Sequence, residues 1–200
     1  MGRKSKANVR RPEILSHFYD VIIEEGFEGA SIAKIAKRMK VNPSLLIHYF
    51  STKEAMVSGL IEYIIATYSN QLLPDFSREN DPAMRWEDVL EVISRLNWDM
   101  FVNHAVYYNC YTLGLRDPEV RRQFVALYET LASRLMLEIE FASQNGIISV
   151  RDPQKASDMI ISLLEGANFY QYVRPQEWTL EQRRELIRSI VSTILKSDCF

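Results

Sequence analysis

Cysteine is nearly absent. Cys110 and Cys199 are the only two in 200 residues. Neither sits in a CxxC pair or a Cys/His cluster, so the expectation is reduced, inert thiols and not a disulfide framework or a thiolate metal site. Glycine and proline are sparse, with seven of each, and no stretch has the composition of a flexible linker or a low-complexity tract. Two domains must therefore be joined by ordered chain, for which a shared helix suffices. No uncharged apolar run reaches transmembrane length, and the basic N-terminus is followed by charged residues where a signal peptide needs an apolar core. A cytoplasmic protein with no membrane partner is expected. Also missing are a Ser/His/Asp order, a paired-carboxylate motif, a phosphate-binding glycine loop and metal-ligand spacing. Asp99 and His104 are too loosely related to define a site. No catalytic residue, cofactor or metal is assigned, and a helical enzyme is the weakest of the readings.

What the chain does have is apolar content, 47% of residues, enough for one core or two. Its net charge of −2 is unevenly spread: residues 1–54 carry +4 and residues 55–200 carry −6. The first quarter can approach a polyanion, and the remainder is repelled by one.

Strand-length Val/Ile alternation is absent, while apolar residues recur at spacings of three and four almost throughout, which predicts an all-α protein of about nine helices. Ile14, Phe18, Val21 and Ile22 line a first helix that opens near Pro12 and closes at Gly26. Ile32, Ile35, Ala36 and Met39 mark a second after Ser31, a suitable N-cap, and a third runs from about Pro43 to Tyr49. Ser51 and Glu54 have the spacing of a capping box for a long fourth helix that Pro74 stops. Asp81-Pro82, Asp117-Pro118 and Asp152-Pro153 each set an acceptor at N-cap and proline at the first helical position. Thr179 and Gln182 make a further capping box, Gly146 ends the helix begun at Asp117, and a break is expected near His104 and Ala105.

Helices two and three are separated only by Lys40, Val41 and Asn42, the spacing of a DNA-binding helix-turn-helix. Ala36 lets them cross closely, and Ile32, Ile35, Val41, Leu46 and Phe50 can meet Phe18 and Ile22 in a small core. Periodicity alone equally allows an antiparallel pair in a larger bundle; the local positive charge favours DNA. Arg3, Lys4, Lys6, Arg10 and Arg11 form a basic arm that either follows phosphates or a minor groove, or stays a solvated tail.

Gly26-Phe27-Glu28-Gly29-Ala30-Ser31-Ile32, Ile35-Ala36, Val41 to Phe50 and Lys53-Glu54, in this order, resemble the TetR (TetR/AcrR-like) family of bacterial regulators. The resemblance covers roughly residues 11–60; beyond residue 75 it extends only to helical character and length. Two departures stand out. Lys40 occupies a turn position where many members have glycine, which costs roughly 1 kcal/mol if the turn is left-handed. Ile47 replaces a common tyrosine, which alters specificity and not the fold.

The resemblance implies that the third helix enters the major groove with Asn42, Pro43, Ser44, Ile47 and His48 near base edges. Pro43 and Ile47 can pack on thymine methyls, and Ser44 and His48 can hydrogen-bond. Ser31, Tyr49 and Lys53 are placed for phosphates, with Tyr49 equally suited to the core. It also implies a homodimer through the last two helices, with Met159, Leu163, Gly166, Ile187, Ile190 and Ile194 at the interface; burial within one subunit is the alternative. An effector is implied among the middle helices, where Trp98, Phe101, Tyr107, Tyr108, Tyr111, Phe124, Tyr128, Asn168 and Tyr170 suit an apolar or aromatic small molecule, or are plain core. The division expected is an arm and DNA-binding domain over 1–50, a connecting helix over 51–74, and a ligand-binding and dimerisation domain over 75–200. The function implied is a repressor released from a palindromic operator by its ligand, with Gly59 in the connecting helix either a pivot or a close-packing position. A ligand-independent architectural DNA-binding protein is the alternative.

Overall fold

The computed structural model describes residues 6–72, 74–95, 102–174 and 179–196. Among them the chain is all-α, with nine helices: α1 (Lys6–Gly29), α2 (Ile32–Met39), α3 (Pro43–Tyr49), α4 (Lys53–Leu72), α5 (Pro82–Arg95), α6 (His104–Gly114), α7 (Pro118–Gln144), α8 (Pro153–Val173) and α9 (Leu180–Lys196).

Most boundaries follow from local hydrogen-bond chemistry. The carboxylates of Asp81, Asp117 and Asp152 accept from the free backbone N–H groups of the helices they precede, at 2.8 Å to Ala83, 2.8 Å to Glu119 and 3.0 Å to Lys155. Thr179 and Gln182 cap reciprocally: the Thr179 N–H donates to Gln182 Oε1 at 2.9 Å and the Gln182 N–H to Thr179 Oγ1 at 3.2 Å. Gly146, at φ 71°, ends α7 in the left-handed region, and the Ile147 N–H reaches back to the Ala142 carbonyl at 2.9 Å.

Two starts differ from expectation. α1 begins at Lys6, so Pro12 lies inside it. The good helix formers on its N-terminal side, Lys6, Ala7, Arg10 and Arg11, extend the helix past the one hydrogen bond that proline cannot donate. At the other end Gly26, at φ 78° and ψ 163°, interrupts α1 where a stop is expected. The cap of α4 is Thr52 and not Ser51: its hydroxyl accepts from the Ala55 N–H at 3.1 Å, one residue later than the Ser51–Glu54 box requires.

The chain divides into two compact units, one of Met1–Thr67 and Phe101–Val125, the other of Tyr68–Met100 and Ala126–Phe200. The first unit is built around the fully enclosed side chains of Ile14, Phe18, Ile35, Leu46, Phe50 and Leu60; Ile32 and Val41, expected in this core, are half-buried. α6 packs against α1, where the Asn103 N–H, one residue before α6, donates to the Tyr19 hydroxyl at 2.7 Å. The start of α7 joins α4 through Gln123, whose amide donates to Ser58 Oγ at 3.0 Å and Glu62 Oε1 at 3.3 Å. Compactness thus groups α6 and the first turns of α7 with the N-terminal helices, a pairing that chain order does not reveal.

In the second unit α9 packs on α5 and α8, with Val89, Leu135, Ile139, Ile160, Ile187 and Val191 enclosed. Two of its buried or half-buried arginines are held by specific acceptors. Arg85 makes a two-pronged contact with Glu138, at 2.7 and 2.9 Å. Arg183, wholly buried on α9, donates to the Ser94 carbonyl at 3.0 Å and to Asn168 Oδ1 at 3.1 Å. Burial holds the Arg183 pKa below the usual guanidinium value.

Candidate nucleic-acid interface

α2 ends because Lys40 turns left-handed, at φ 55° and ψ 42°, which lets the Val41 N–H reach the Ala36 carbonyl at 3.0 Å. Two residues later Asn42 caps α3, its Oδ1 accepting from the Ser44 N–H at 2.9 Å, and Pro43 supplies a first helical position with no N–H to satisfy. Ala36, fully buried, occupies the inner face of α2 beside this turn. The expected glycine-like turn therefore forms with lysine in it.

α3 is a short helix with two unlike faces. Leu46 is fully enclosed, while Ile47, one residue on, is 52% exposed. Asn42, Pro43, Ser44 and His48 are exposed on the same outer side. Tyr49 is half-buried, its ring edge-on to His48 with centroids 5.2 Å apart. The end of α3 is held by Arg11 of α1, whose guanidinium donates to the Tyr49 carbonyl at 3.2 Å and lies 4.4 Å from the Phe50 ring centroid. Sequence reading set Arg11 in a basic arm; its role here depends on a contact 38 residues away in the chain.

The remaining cations divide into committed and uncommitted. Arg38 on α2 is drawn to α1, bonding Glu24 at 2.7 and 2.8 Å and Asp20 at 3.2 Å, and these acids raise its pKa, Glu24 most. Lys34 pairs with Glu25. Lys53, half-buried, donates to the Phe27 carbonyl at 2.9 Å and sits 5.2 Å from the Phe27 ring centroid. It ties the end of α1 to the start of α4 besides adding positive charge. Ser31 is exposed and caps α2 by accepting from the Lys34 N–H at 3.4 Å. Lys37 and Lys40 are exposed and form no ion pair among the described residues. They were missed by sequence reasoning, although the acids on α1 that take up Lys34 and Arg38 point to them by elimination. Arg3 and Lys4 lie outside the described residues.

The candidate effector residues fall into both units. Tyr107 and Phe124 are buried, and with the exposed Tyr111 they form an aromatic group in the first unit: Tyr107 to Phe124 is 6.0 Å, Tyr111 to Phe124 is 5.8 Å and Tyr107 to Tyr108 is 5.2 Å between centroids. Tyr128 is half-buried and Tyr170 exposed in the second unit, where Tyr170 bonds Arg174. Asn168 is already an acceptor for Arg183 inside the fold. Trp98 and Phe101 lie outside the described residues.

The candidate dimer residues also separate. Met159 and Gly166 are exposed, and Leu163 and Ile190 half-buried; a methyl group added at Gly166 meets nothing within 4 Å. Ile187 and Ile194 are different. They are 0% and 8% exposed within the chain itself, because α9 turns this stripe inward onto α5 and α8, so neither has appreciable surface to offer a partner. Apolar surface instead continues along α8 at Phe169, Tyr172 and Val173.

Two short helices joined by a left-handed turn, the second anchored by Leu46 and presenting Ser44, Ile47 and His48 outward, define a helix-turn-helix DNA-binding protein. Residues 14–60 match the model of the bacterial regulatory proteins of the tetR family, and residues 85–197 match the tetracyclin repressor-like C-terminal domain. The chain belongs to the TetR family of transcriptional regulators, whose members are regulators and not enzymes. It is 29% identical to the HTH-type transcriptional regulator UidR of Escherichia coli (strain K12) over 147 residues, 73% of this chain and 72% of that protein. The fold is similar to a TetR transcription regulator from Haloarcula marismortui, with a TM-score of 0.78 at 15% identity over 94% of this chain and 97% of the other. It is also similar to a regulator from Saccharomonospora viridis in complex with choline, with a TM-score of 0.77 at 13% identity over 92% and 96% of the two chains. Among the described residues no helix is long and apolar enough to cross a membrane.

Proposed function

We propose that the chain is a cytoplasmic homodimeric repressor that binds a palindromic operator and leaves it when a small apolar or aromatic molecule binds. The observation that carries the DNA half is the outer face of α3, where Ile47 is 52% exposed beside a fully buried Leu46. Isolated exposed apolar residues are common on protein surfaces, so Ile47 counts here because of its place on the second helix of a helix-turn-helix, where it can pack on thymine methyl groups in the major groove. Asn42, Pro43, Ser44 and His48 surround it as base-reading candidates. Ser31, Tyr49 and Lys53, with Lys37 and Lys40, are the phosphate candidates, and Arg3 and Lys4 extend the contact. One seven-residue helix reads few base pairs, so a second copy related by two-fold symmetry is needed for specificity. Met159, Leu163, Gly166 and Ile190 are the surface proposed for that pairing, joined by Phe169, Tyr172 and Val173. In this reading residues 1–50 bind DNA, 51–74 connect, and 75–200 carry pairing and ligand functions.

The apolar or aromatic character of the ligand is supported by the aromatic group of Tyr107, Tyr111 and Phe124 in the same compact unit as α3; the choline held by the S. viridis regulator, a cation, supports only that a similar fold takes up a small molecule. α6 touches α1 directly, so a molecule that moves Tyr107 acts on α1, which bears α2 and α3. A ligand that favours one arrangement by roughly 1 to 3 kcal/mol weakens operator binding about 5- to 150-fold. Sedimentation at micromolar protein, with and without operator DNA, tests the dimer; a monomer that binds DNA specifically refutes it. Metabolites that raise the melting temperature are then added to operator titrations. Unchanged operator affinity with a ligand bound refutes the release.

A further inference from the structure

A cleft of about 720 Å³ opens in the second unit between α5, α9 and the turn after α7, within the size range of pockets for small organic molecules. Trp86 and Leu90 of α5, Leu195 of α9 and Ile147 of the turn give it an apolar lining. Its charged lining is of one sign, from Arg151, Arg188 and Lys196, and no Asp or Glu among the described residues lines it. The three cations are not equivalent. Arg188 is already met by Glu87 at 2.5 Å and Glu91 at 3.3 Å, and these carboxylates raise its pKa. Arg151 and Lys196 are exposed and form no ion pair among the described residues. The neighbouring Asp152 carboxylate is taken up by the α8 cap. A sizeable apolar wall with two cations at its edge that form no ion pair among the described residues disfavours a cationic ligand, and although Ser149 and Ser192 can hydrogen-bond a neutral one, an anion gains the charge pairing as well.

We propose that this cleft is a binding site for an amphipathic anion, its carboxylate or phosphate head at Arg151 and Lys196 and its hydrocarbon body against Trp86, Leu90 and Leu195. The site shares no residue with the aromatic group around Tyr107 and does not depend on it, so it can fail without affecting the repressor reading, and the reverse. Apolar contact sets most of the affinity and the head-group pairs set selectivity, because exposed charge pairs contribute modestly.

The test uses the full chain and four probes of equal tail length: octanoate, octyl phosphate, octanol and octyltrimethylammonium, measured by calorimetry and by Trp fluorescence, to which Trp86 contributes. At least one anion should bind about tenfold or more tighter than the alcohol and the ammonium compound, with affinity falling as salt is raised. Octanoate preferred over octyl phosphate assigns a carboxylate, and the opposite order a phosphate monoester. In the double variant Arg151→Ala/Lys196→Ala, changed only at exposed positions, the anion preference should fall about tenfold while octanol binding stays the same. Equal binding of alcohol and anion, an anion preference that survives in the double variant, or no binding of any probe overturns the proposal.

Discussion

Gly59→Ala probes how tightly the connecting helix is fitted to the recognition helix. Gly59 lies in α4, where alanine is favoured over glycine by about 1 kcal/mol, so an unconstrained site gains stability. Here an added Cβ falls 2.9 Å from Phe50 Cε1 and 3.5 Å from Leu15 Cδ2. The Phe50 ring is 1% exposed and has the Arg11 guanidinium 4.4 Å from its centroid, so it cannot move away freely, and overpacking of this kind costs about 1 to 3 kcal/mol. The two effects leave a net loss of about 1 kcal/mol, or a melting temperature lower by roughly 2 to 4 °C for a chain of this length. Function should suffer too, since the Phe50 N–H donates to the Leu46 carbonyl at 2.8 Å and a displaced Phe50 tilts the end of α3. Chemical denaturation at fixed protein concentration, with operator titrations, reads both effects. Phe50→Leu removes the opposing ring carbon, so Gly59→Ala should cost less in that background, with a coupling of about 1 kcal/mol or more. A Gly59→Ala protein more stable than the parent with unchanged operator affinity, or an additive cycle, refutes the close-packing account and restores a pivot at Gly59.

Three further outcomes are expected. Lys40→Gly relieves the left-handed strain of the turn and should stabilise the protein by about 1 kcal/mol, read as a higher denaturation midpoint; no gain means that the lysine is unstrained there. Thr52→Ala should cost about 1 kcal/mol through loss of the α4 cap and Ser51→Ala almost nothing, and the reverse order in the same assay contradicts the assigned cap. Burial pushes the Cys110 thiol up to about 12, so in a Cys199→Ser background native protein at about pH 8 should not react with a thiol reagent until denatured. By the same shift Cys110 stays protonated in the fold while the unfolded thiol ionises near its ordinary value of 9.0. Its contribution to stability is full below that pH and declines as pH rises toward 12; fast labelling of the native thiol contradicts this.

Capping was legible at four helix starts because it is local, although at α4 the adjacent hydroxyls of Ser51 and Thr52 left the choice open and Thr52 takes the role. Asp81, Asp117, Asp152 and the Thr179–Gln182 pair satisfy N–H groups two or three residues away, and their identity and spacing determine the outcome. The left-handed turn was legible through the family resemblance, which sets glycine at the turn position that Lys40 takes, at φ 55°. Contacts between distant segments were not legible. Arg183 lies on the same α9 face as Ile187 and Ile194, and a buried guanidinium there is understood only from acceptors on other helices such as the Ser94 carbonyl and Asn168 Oδ1. The same inward rotation removes Ile187 and Ile194 from any pairing surface, although a stripe of isoleucines reads identically whether it faces its own chain or another. The exposed reading face of α3 was legible through its family motif, whereas the commitment of Arg38 and Lys34 to acids on α1 was not, because charge counts do not say which cations are already paired.

The central claim is that α3 reads a specific DNA sequence through Ser44, Ile47 and His48. Genomic fragments recovered with the full-length protein and sequenced test it most directly, with Ser44→Ala and Ile47→Ala carried through the same selection at matched melting temperature. The account predicts that the parent enriches one inverted repeat with half-sites about one helical turn apart, and that each variant shifts the preferred bases within a half-site. Enrichment of no sequence, or of the same sequence with the same preference by parent and both variants, contradicts it.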